Sequence, residues 1–278
     1  MSVRIVTDST CDLPAEVIAR YKIHVVPLYI NIGKQGYLDG IDITREEFYQ
    51  RLPSYPVHPT TAVPSTERFH AAYNTLADEG ATEIVSIHIS IALSAAVDVA
   101  RIAAQNTTSA PVTVIDSQQL SLGTGFMVET AAQMAEEGHS ANEIQAALES
   151  QAQRSHVFAM LDTLEFLKRS GRMNKYMAGL ATILQIKPIL TMHKGQPGTE
   201  RVRTRDRALK RLIEMLTAVG KIEQVAIVHT HALPEHIANL RAMAGGLLPS
   251  KEIMIEDITP VIGVHIGPGA LGFAVVSA

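Results

Sequence analysis

Three short runs rich in Val and Ile, VRIVT (3–7), EIVSIHI (83–89) and PVTVID (111–116), each lead through a polar turn into a helical pattern. Strands of this length, separated by helices, cannot pair through hairpin turns. They need crossover connections, which give a parallel sheet with helices packed on both faces. The intervening helices are predicted to begin near Pro14 and to cover about 66–79, 91–104 and 119–137. Thr44 with Glu47, and Ser140 with Glu143, have the spacing of capping boxes and mark two further helix starts. HVVPLYINI (24–32) reads as one more strand.

The second half is more mixed. VFAML (157–161) reads as a strand and TLEFLKRSGRM as a short helix ending at Gly171. KPILTMH (187–193) and ERVR (200–203) flank a Gly-Gln-Pro-Gly turn and predict a hairpin. A helix over about 205–218, the strand QVAIVHT (224–230), a helix over about 234–244 and the strand KEIMIEDI (251–258) follow. From Ile258 to Ala278 there is no Asp, Glu, Lys or Arg, long enough to cross a bilayer. Pro260, Gly263, His265, Gly267, Pro268, Gly269 and Gly272 interrupt it, so it reads as two buried strands around a Gly/Pro loop. The fold expected is α/β in two domains: residues 1–160 with a mostly parallel sheet, and 161–278 with a mixed one.

Charge and composition narrow the function. Against 28 Asp and Glu stand 24 Lys and Arg, a net charge of −4. Aromatics are 5% and Trp is absent. A nucleic-acid binder normally needs a basic excess or stacking platforms, so neither nucleic-acid class fits. The N-terminus lacks the anatomy of a signal peptide. A lone Cys11 can form no internal disulfide and suggests a reducing, cytoplasmic setting.

Ligands of open parallel sheets bind outside the carboxyl ends of the strands. The residues falling there are Asp8-Ser9-Thr10, His58 to Ser65, Ser90 to Ser94 and Asp116-Ser117, rich in hydroxyls and poor in charge. Ser90 and Ser94 open a helix, where free N–H groups favour an anion; equally, Ser90 could only cap that helix. Pro53, Pro56, Pro59 and Pro64 stiffen the loop presenting Thr60 and Thr61, whose hydroxyls could serve a ligand or merely the backbone. Gly267-Pro-Gly269-Ala-Leu-Gly272 spells a dinucleotide fingerprint, but only six residues follow, reading as a strand where that motif needs a helix, so NAD is not expected. His229 and His231, with His236 nearby, lack a carboxylate or Cys at useful spacing to complete a metal set. Cys11 reads as a small buried thiol rather than a nucleophile. Arg201, Arg203, Arg205, Arg207, Lys210 and Arg211 face one acid, Asp206: either a phosphate or acidic-partner site, or a solvated face.

Asp8-Ser-Thr-Cys-Asp-Leu-Pro14, VIDSQQLSLGTG (114–125), LEFLKRSGRM (164–173) and PVIGVHIGPGALG (260–272) resemble, in order and along the whole chain, the motifs of the DegV family. These are bacterial fatty-acid-binding proteins, including the binding subunits of fatty acid kinase systems. The resemblance implies a two-domain α/β fold with an acyl chain in a tunnel and no cofactor or metal. It implies that the carboxylate is held by Thr61 and Ser94, with His265 nearby. The family's T-S-Q-P-S motif stands here as Thr61-Ala62-Val63-Pro64-Ser65. Its S-S-G-L-S motif stands as Ser90-Ile91-Ala92-Leu93-Ser94, with Ala95 where Gly is usual. It also places a partner-contacting Arg in the basic segment, at Arg203 or Arg205. A separate fatty acid kinase would then phosphorylate the carboxylate presented by this chain. The alternatives are a hydrolase or acyltransferase using Ser94 with His265 as base, and a lipid-responsive regulator with no kinase partner. Burial alone makes the binding reading plausible. About fifteen carbons of a sixteen-carbon acid contribute roughly 12 kcal/mol, against about 4–15 kcal/mol lost on association.

Overall fold

The computed structural model describes residues 2–173, 187–250 and 252–278. Four parallel strands form the first sheet in the order β2-β1-β6-β7 (β1 Val3–Asp8, β2 His24–Val26, β6 Glu83–His88, β7 Val112–Asp116). Helices α3 (Thr66–Asp78) and α4 (Ala96–Gln105) cover one face, burying Phe69, Tyr73, Leu76 and Ala100 against Val6, Val26 and Ile84. Helices α5 (Leu122–Glu136) and α6 (Ala141–Arg154) cover the other. The six-stranded second sheet has the order β10-β9-β8-β13-β11-β12 and is antiparallel except for the β11–β12 pair. Its strands are β8 Ser155–Met160, β9 Lys187–His193, β10 Gln196–Val202, β11 Ile222–His229, β12 Met254–Asp257 and β13 Leu271–Ser277.

Helix α5 shows why the two sheets form one body. It is apolar on nearly every side, as a helix enclosed by protein must be. Phe126, Met127, Val128 and Ala131 share a core with Val3, Ile5, Val85 and Ile87 of the first sheet and with Val157, Leu190, Val228 and Ala274 of the second. Helices α8 (Arg205–Val219) and α9 (Pro234–Ala244) close the outer face of the second sheet over Phe158, Ile227 and Phe273. A small antiparallel sheet, β4-β3-β5 (β3 Tyr29–Ile32, β4 Gln35–Leu38, β5 Thr60–Ala62), packs with α2 (Arg45–Arg51) and α10 (Pro260–Ile266). Short helices α1 (Ala15–Arg20) and α7 (Glu165–Arg169), with single 3₁₀ turns at Ser9–Cys11, Leu52–Ser54 and Gly245–Leu247, complete the described elements.

Several sequence expectations are corrected. The run 24–32 is two strands in two sheets, because Pro27 lacks an N–H for a ladder and the chain turns there. The helix expected from residue 91 begins at Ala96, and residues 91–95 form the turn that precedes it. The hairpin turns at Lys194-Gly195, both with positive φ (51° and 70°), two residues before the Pro-Gly pair. Of the two capping boxes only Ser140/Glu143 is reciprocal; Thr44 accepts from the Glu47 N–H, but the Glu47 carboxylate turns to Arg51 at 2.7 Å. The uncharged C-terminal segment is a helix and a strand, α10 and β13, rather than two strands. Thr259 caps α10 and Pro260 occupies its first turn, while Gly267 (φ 74°) ends it against the ring of Phe166, where a Cβ has no room.

Candidate functional site

Between the two sheets lies a cavity of about 410 Å³, within the range of small-molecule sites. Its wall is mainly aliphatic. Leu28, just before β3, and Val63, just after β5, flank the small sheet, and Ile89, Ile91 and Leu93 follow β6 into the turn after it. Val157, Ala159 and Leu161 come from β8 and its exit, Leu190 from β9 and Val228 from β11. Ile258, Val261, Ile262 and Ile266 come from α10 and its approach. Val157, Ala159 and Leu190 share a sheet face because Ala159 pairs directly with Leu190 across the antiparallel ladder.

Thr61, Ser94 and His265 all line this cavity. Thr61 sits mid-strand on β5, opposite Ile30 of β3. His265 stands one residue before the end of α10, on a helix rather than the strand expected for it. Thr61 Oγ1 and His265 Nε2 are 3.1 Å apart, across 204 residues of sequence. Ser94 is held by the turn after β6. Its N–H donates to Ser90 O at 3.1 Å, and its Oγ accepts from the Ala96 N–H at 3.3 Å, leaving the hydroxyl proton for another acceptor. That turn is strapped to the sheet by carboxylates. Asp8 Oδ2 accepts from the Ile89 N–H at 3.3 Å, and Asp116 Oδ1 from the Ile91 N–H at 3.3 Å. Ser90 is fully buried and accepts from the Ala92 N–H, so it closes the turn rather than capping the helix. Of the family departures, Ala62, Val63, Ile91 and Ala95 line the cavity.

Of the other polar groups of the lining, only Thr10 is marked by the sequence. Arg172 brings a cation to the lining, on the segment after Gly171. It lies inside the LEFLKRSGRM motif, and a charged residue just past a helix-ending Gly was the signal available. Asp98 of α4 adds a carboxylate, paired with Arg101 at 3.6 Å. Thr10 and Ser121 also reach the lining, but their protons are committed. Thr10 Oγ1 donates to Asp8 at 2.5 Å and Ser121 Oγ to Asp12 at 2.6 Å. Thr61 and Ser94 therefore differ from them in having hydroxyl protons not bound to a buried carboxylate.

A row of buried side chains runs behind the site. Asp8 lies 2.9 Å from His88 Nδ1, His88 Nε2 lies 2.7 Å from Ser86 Oγ, and Ser86 Oγ lies 2.9 Å from Tyr73 Oη. Burial pushes the Asp8 carboxyl up, but His88 and the two Thr10 bonds outweigh it and hold it below the ordinary value. The order Asp-His-Ser is that of a hydrolase triad. Yet Asp8, His88 and Ser86 are all inaccessible to solvent and none lines the cavity, so the row serves as internal hydrogen bonding. Cys11 is buried, and burial pushes its thiol up to about 12, which keeps it protonated and a poor nucleophile, as its small-thiol reading expects.

His229 and His231 turn to one carboxylate, Asp257, at 3.4 and 3.8 Å, while His236 lies on α9. No group of three or more His, Cys, Asp or Glu among the described residues is arranged to hold a metal ion. The basic segment is partly neutralised internally. Arg211 is held by Glu200 (2.7 and 3.0 Å) and Glu214 (3.0 Å). Arg205 donates to Asp162 at 3.0 Å, which Lys187 also contacts at 3.1 Å. Arg203 is exposed. No helix among the described residues is long and apolar enough to cross a membrane.

Comparison with known proteins agrees with this architecture. A DegV domain-containing protein of Streptomyces coelicolor is 35% identical, with 99% of this chain and 98% of that protein aligned. Among solved structures, a DegV family protein of Thermus thermophilus, described for its fatty acid binding, superposes with a TM-score of 0.90 at 36% identity over 100% of both chains. A stearic-acid-binding protein of Eubacterium ventriosum gives 0.88 at 26% identity, covering 99% of this chain and 98% of its own. Residues 2–278 match the family model described as an uncharacterised protein of the DegV family, and with that match running through both sheets and the cavity between them, the chain belongs to the DegV family.

Proposed function

We propose that the protein binds a long-chain fatty acid, of the palmitate or oleate class, in the cavity between its sheets and presents the carboxylate to a separate fatty acid kinase. The observation that carries the reading is the pairing of an aliphatic wall with Thr61, Ser94 and His265 on one cavity. Burial of the alkyl chain supplies the affinity, and the polar groups remove the cost of a carboxylate without partners. With Nε2 protonated, His265 donates to Thr61 Oγ1, and Thr61 turns its own proton to the ligand. Ser94 donates a second hydrogen bond, and Arg172 supplies positive charge to the same cavity.

No residue need form a covalent intermediate. In the hydrolase alternative His265 would act as base for Ser94, whereas its Nε2 stands against Thr61. The kinase would transfer phosphate to the carboxylate, giving an acyl phosphate; exposed Arg203 is the better placed of the two candidate docking residues, because Arg205 is tied to Asp162. A lone buried cysteine suits work in a reducing cytoplasm. The test is to incubate the palmitate-loaded chain with ATP, with and without the cognate kinase. Acyl phosphate only in the kinase's presence supports the reading. Acyl phosphate from the chain alone, or hydrolysis of a nitrophenyl ester by it, contradicts it.

A further inference from the structure

The chain entering α10, which forms one wall of the cavity, is bound to a buried cluster that holds none of Thr61, Ser94 and His265. The N-cap Thr259 donates its N–H to Asp12 Oδ1 at 2.8 Å and its hydroxyl to Asp39, and both carboxylates are almost wholly inaccessible. Asp12 also accepts from Ser121 and pairs with Arg45 Nη2 at 3.2 Å. Arg45 in turn donates to Asp257 O, and Tyr49 Oη to Ile258 O at 2.8 Å. The chain entering α10 is thus held at three successive residues, Asp257 to Thr259. The helix itself carries Val261, Ile262, His265 and Ile266 into the cavity.

We propose that Asp12 is a positioning residue for the cavity: through Thr259 it fixes the start of α10, and with it the place of His265 beside Thr61. The inference rests on the fatty-acid reading for what the position serves, but not for the link itself.

The link is sensitive to protons. Burial pushes the Asp12 carboxyl up to about 7, against the pull of Arg45, Ser121 and the Thr259 N–H. Asp39, also raised mainly by burial, faces the same threonine. Asp8 and Cys11 lie on the same strand end and turn, and Arg45 and Tyr49 on α2. From the other side come Glu256, raised by burial, and Asp257, with His229 and His231 against Asp257; Glu16 of α1 faces Glu256. Arg45 is the cation set against Asp12, Asp39 and Glu256 together.

When the seam opens, water reaches Asp12 and its carboxyl returns toward the ordinary value near 3.8. At Asp12 the open state then holds fewer protons than the closed one between about pH 4 and 7, so this group alone lets rising pH favour opening by up to about tenfold per unit over that range.

Hydrogen exchange of the intact, ligand-free chain tests this. The Ile262, Gly263 and Gly267 amides, which close α10 at 3.0, 2.9 and 2.8 Å, are followed from pH 5 to 8 and corrected for intrinsic exchange. Asp12's share of the fall in their protection is expected to reach up to about tenfold per unit and to end near pH 7. Asp12→Asn lowers the slope, leaving only the part that Asp39 and Glu256 contribute. Arg45→Gln, which takes away the charge holding the Asp12 carboxyl down, carries the slope to higher pH and serves should Asp12→Asn not fold. A flat parent profile, or the parent's slope persisting undiminished in Asp12→Asn, overturns the proposal, as does an Arg45→Gln profile identical to the parent's. Palmitate titration of the same samples separates the two claims: no uptake with the slope intact removes the fatty-acid reading and leaves the positioning role standing.

Discussion

Thr61→Val changes a hydroxyl for a methyl at nearly constant shape, so it isolates the head-group chemistry from packing. In the ligand-free chain it removes one hydrogen bond, the 3.1 Å contact with His265 Nε2. A bond of that kind between partly exposed neutral groups contributes about 1 kcal/mol, which corresponds to a fall of roughly 2–4 °C in Tm for a chain of this size. On the proposed reading the same hydroxyl faces a carboxylate in the loaded chain, and the loss rises to about 1–3 kcal/mol, or roughly 5- to 150-fold in Kd at 1.4 kcal/mol per decade. The affinity loss should therefore exceed the stability loss. Ser94→Ala should weaken binding to a similar degree, with less effect on stability, because its Oγ accepts a longer bond from the Ala96 N–H at 3.3 Å. Displacement of a fluorescent fatty acid from the delipidated chain measures Kd, and thermal unfolding of the same samples measures stability. Unchanged palmitate affinity in the Thr61→Val/Ser94→Ala double variant would refute the reasoning and put the carboxylate elsewhere.

Further outcomes follow from other parts of the molecule. Ala159→Leu, on the β8 wall of the cavity, should shift the bound acids toward shorter chains, read by mass spectrometry of the extracted lipid, with overpacking costing about 1–3 kcal/mol of stability. Asp12, raised in the folded state to about 7, contributes stability that is fully present below about pH 4 and is lost as pH rises through 7. Denaturant unfolding of Asp12→Asn should accordingly lose less stability than the parent between pH 5 and 7. Arg203→Glu should leave palmitate affinity unchanged and lower acyl-phosphate formation with the cognate kinase. The parent's rate should fall with salt more steeply than the variant's, since exposed charges are screened; equal rates and equal salt dependence would make the segment an ordinary solvated face.

What the sequence made legible was what local pattern controls. The runs beginning at Val3, Glu83 and Val112 are strands because β-branched residues dominate them, and Ser140 with Glu143 starts α6 where the reciprocal bonds are made. The misreading of 260–266 has a physical cause. A helix enclosed by Tyr49, Phe166 and the sheets has no polar face, so the 3.6-residue period is invisible and only the Thr259-Pro260 cap marks its start. Likewise Glu47 satisfied the spacing of a capping box, but an arginine four residues on competed for its carboxylate. The residues marked the neighbourhoods of Thr61 and Ser94, at strand ends and on a proline-stiffened loop, but only the resemblance picked out those two and joined His265 to them. Thr61 and His265 meet because β5 and α10 pack on one another, and no local spacing encodes a contact 204 residues apart. Arg172 went unmarked because a cation after a helix-ending glycine is indistinguishable in sequence from a solvated one.

The central claim is tested most directly by extracting the purified chain and identifying what it releases by mass spectrometry. A long-chain fatty acid in near-stoichiometric amount, or stoichiometric uptake of palmitate or oleate by the delipidated chain, is the predicted result. Release of no acid, together with failure to take up either one under conditions where a fatty-acid-binding control is fully loaded, would contradict it.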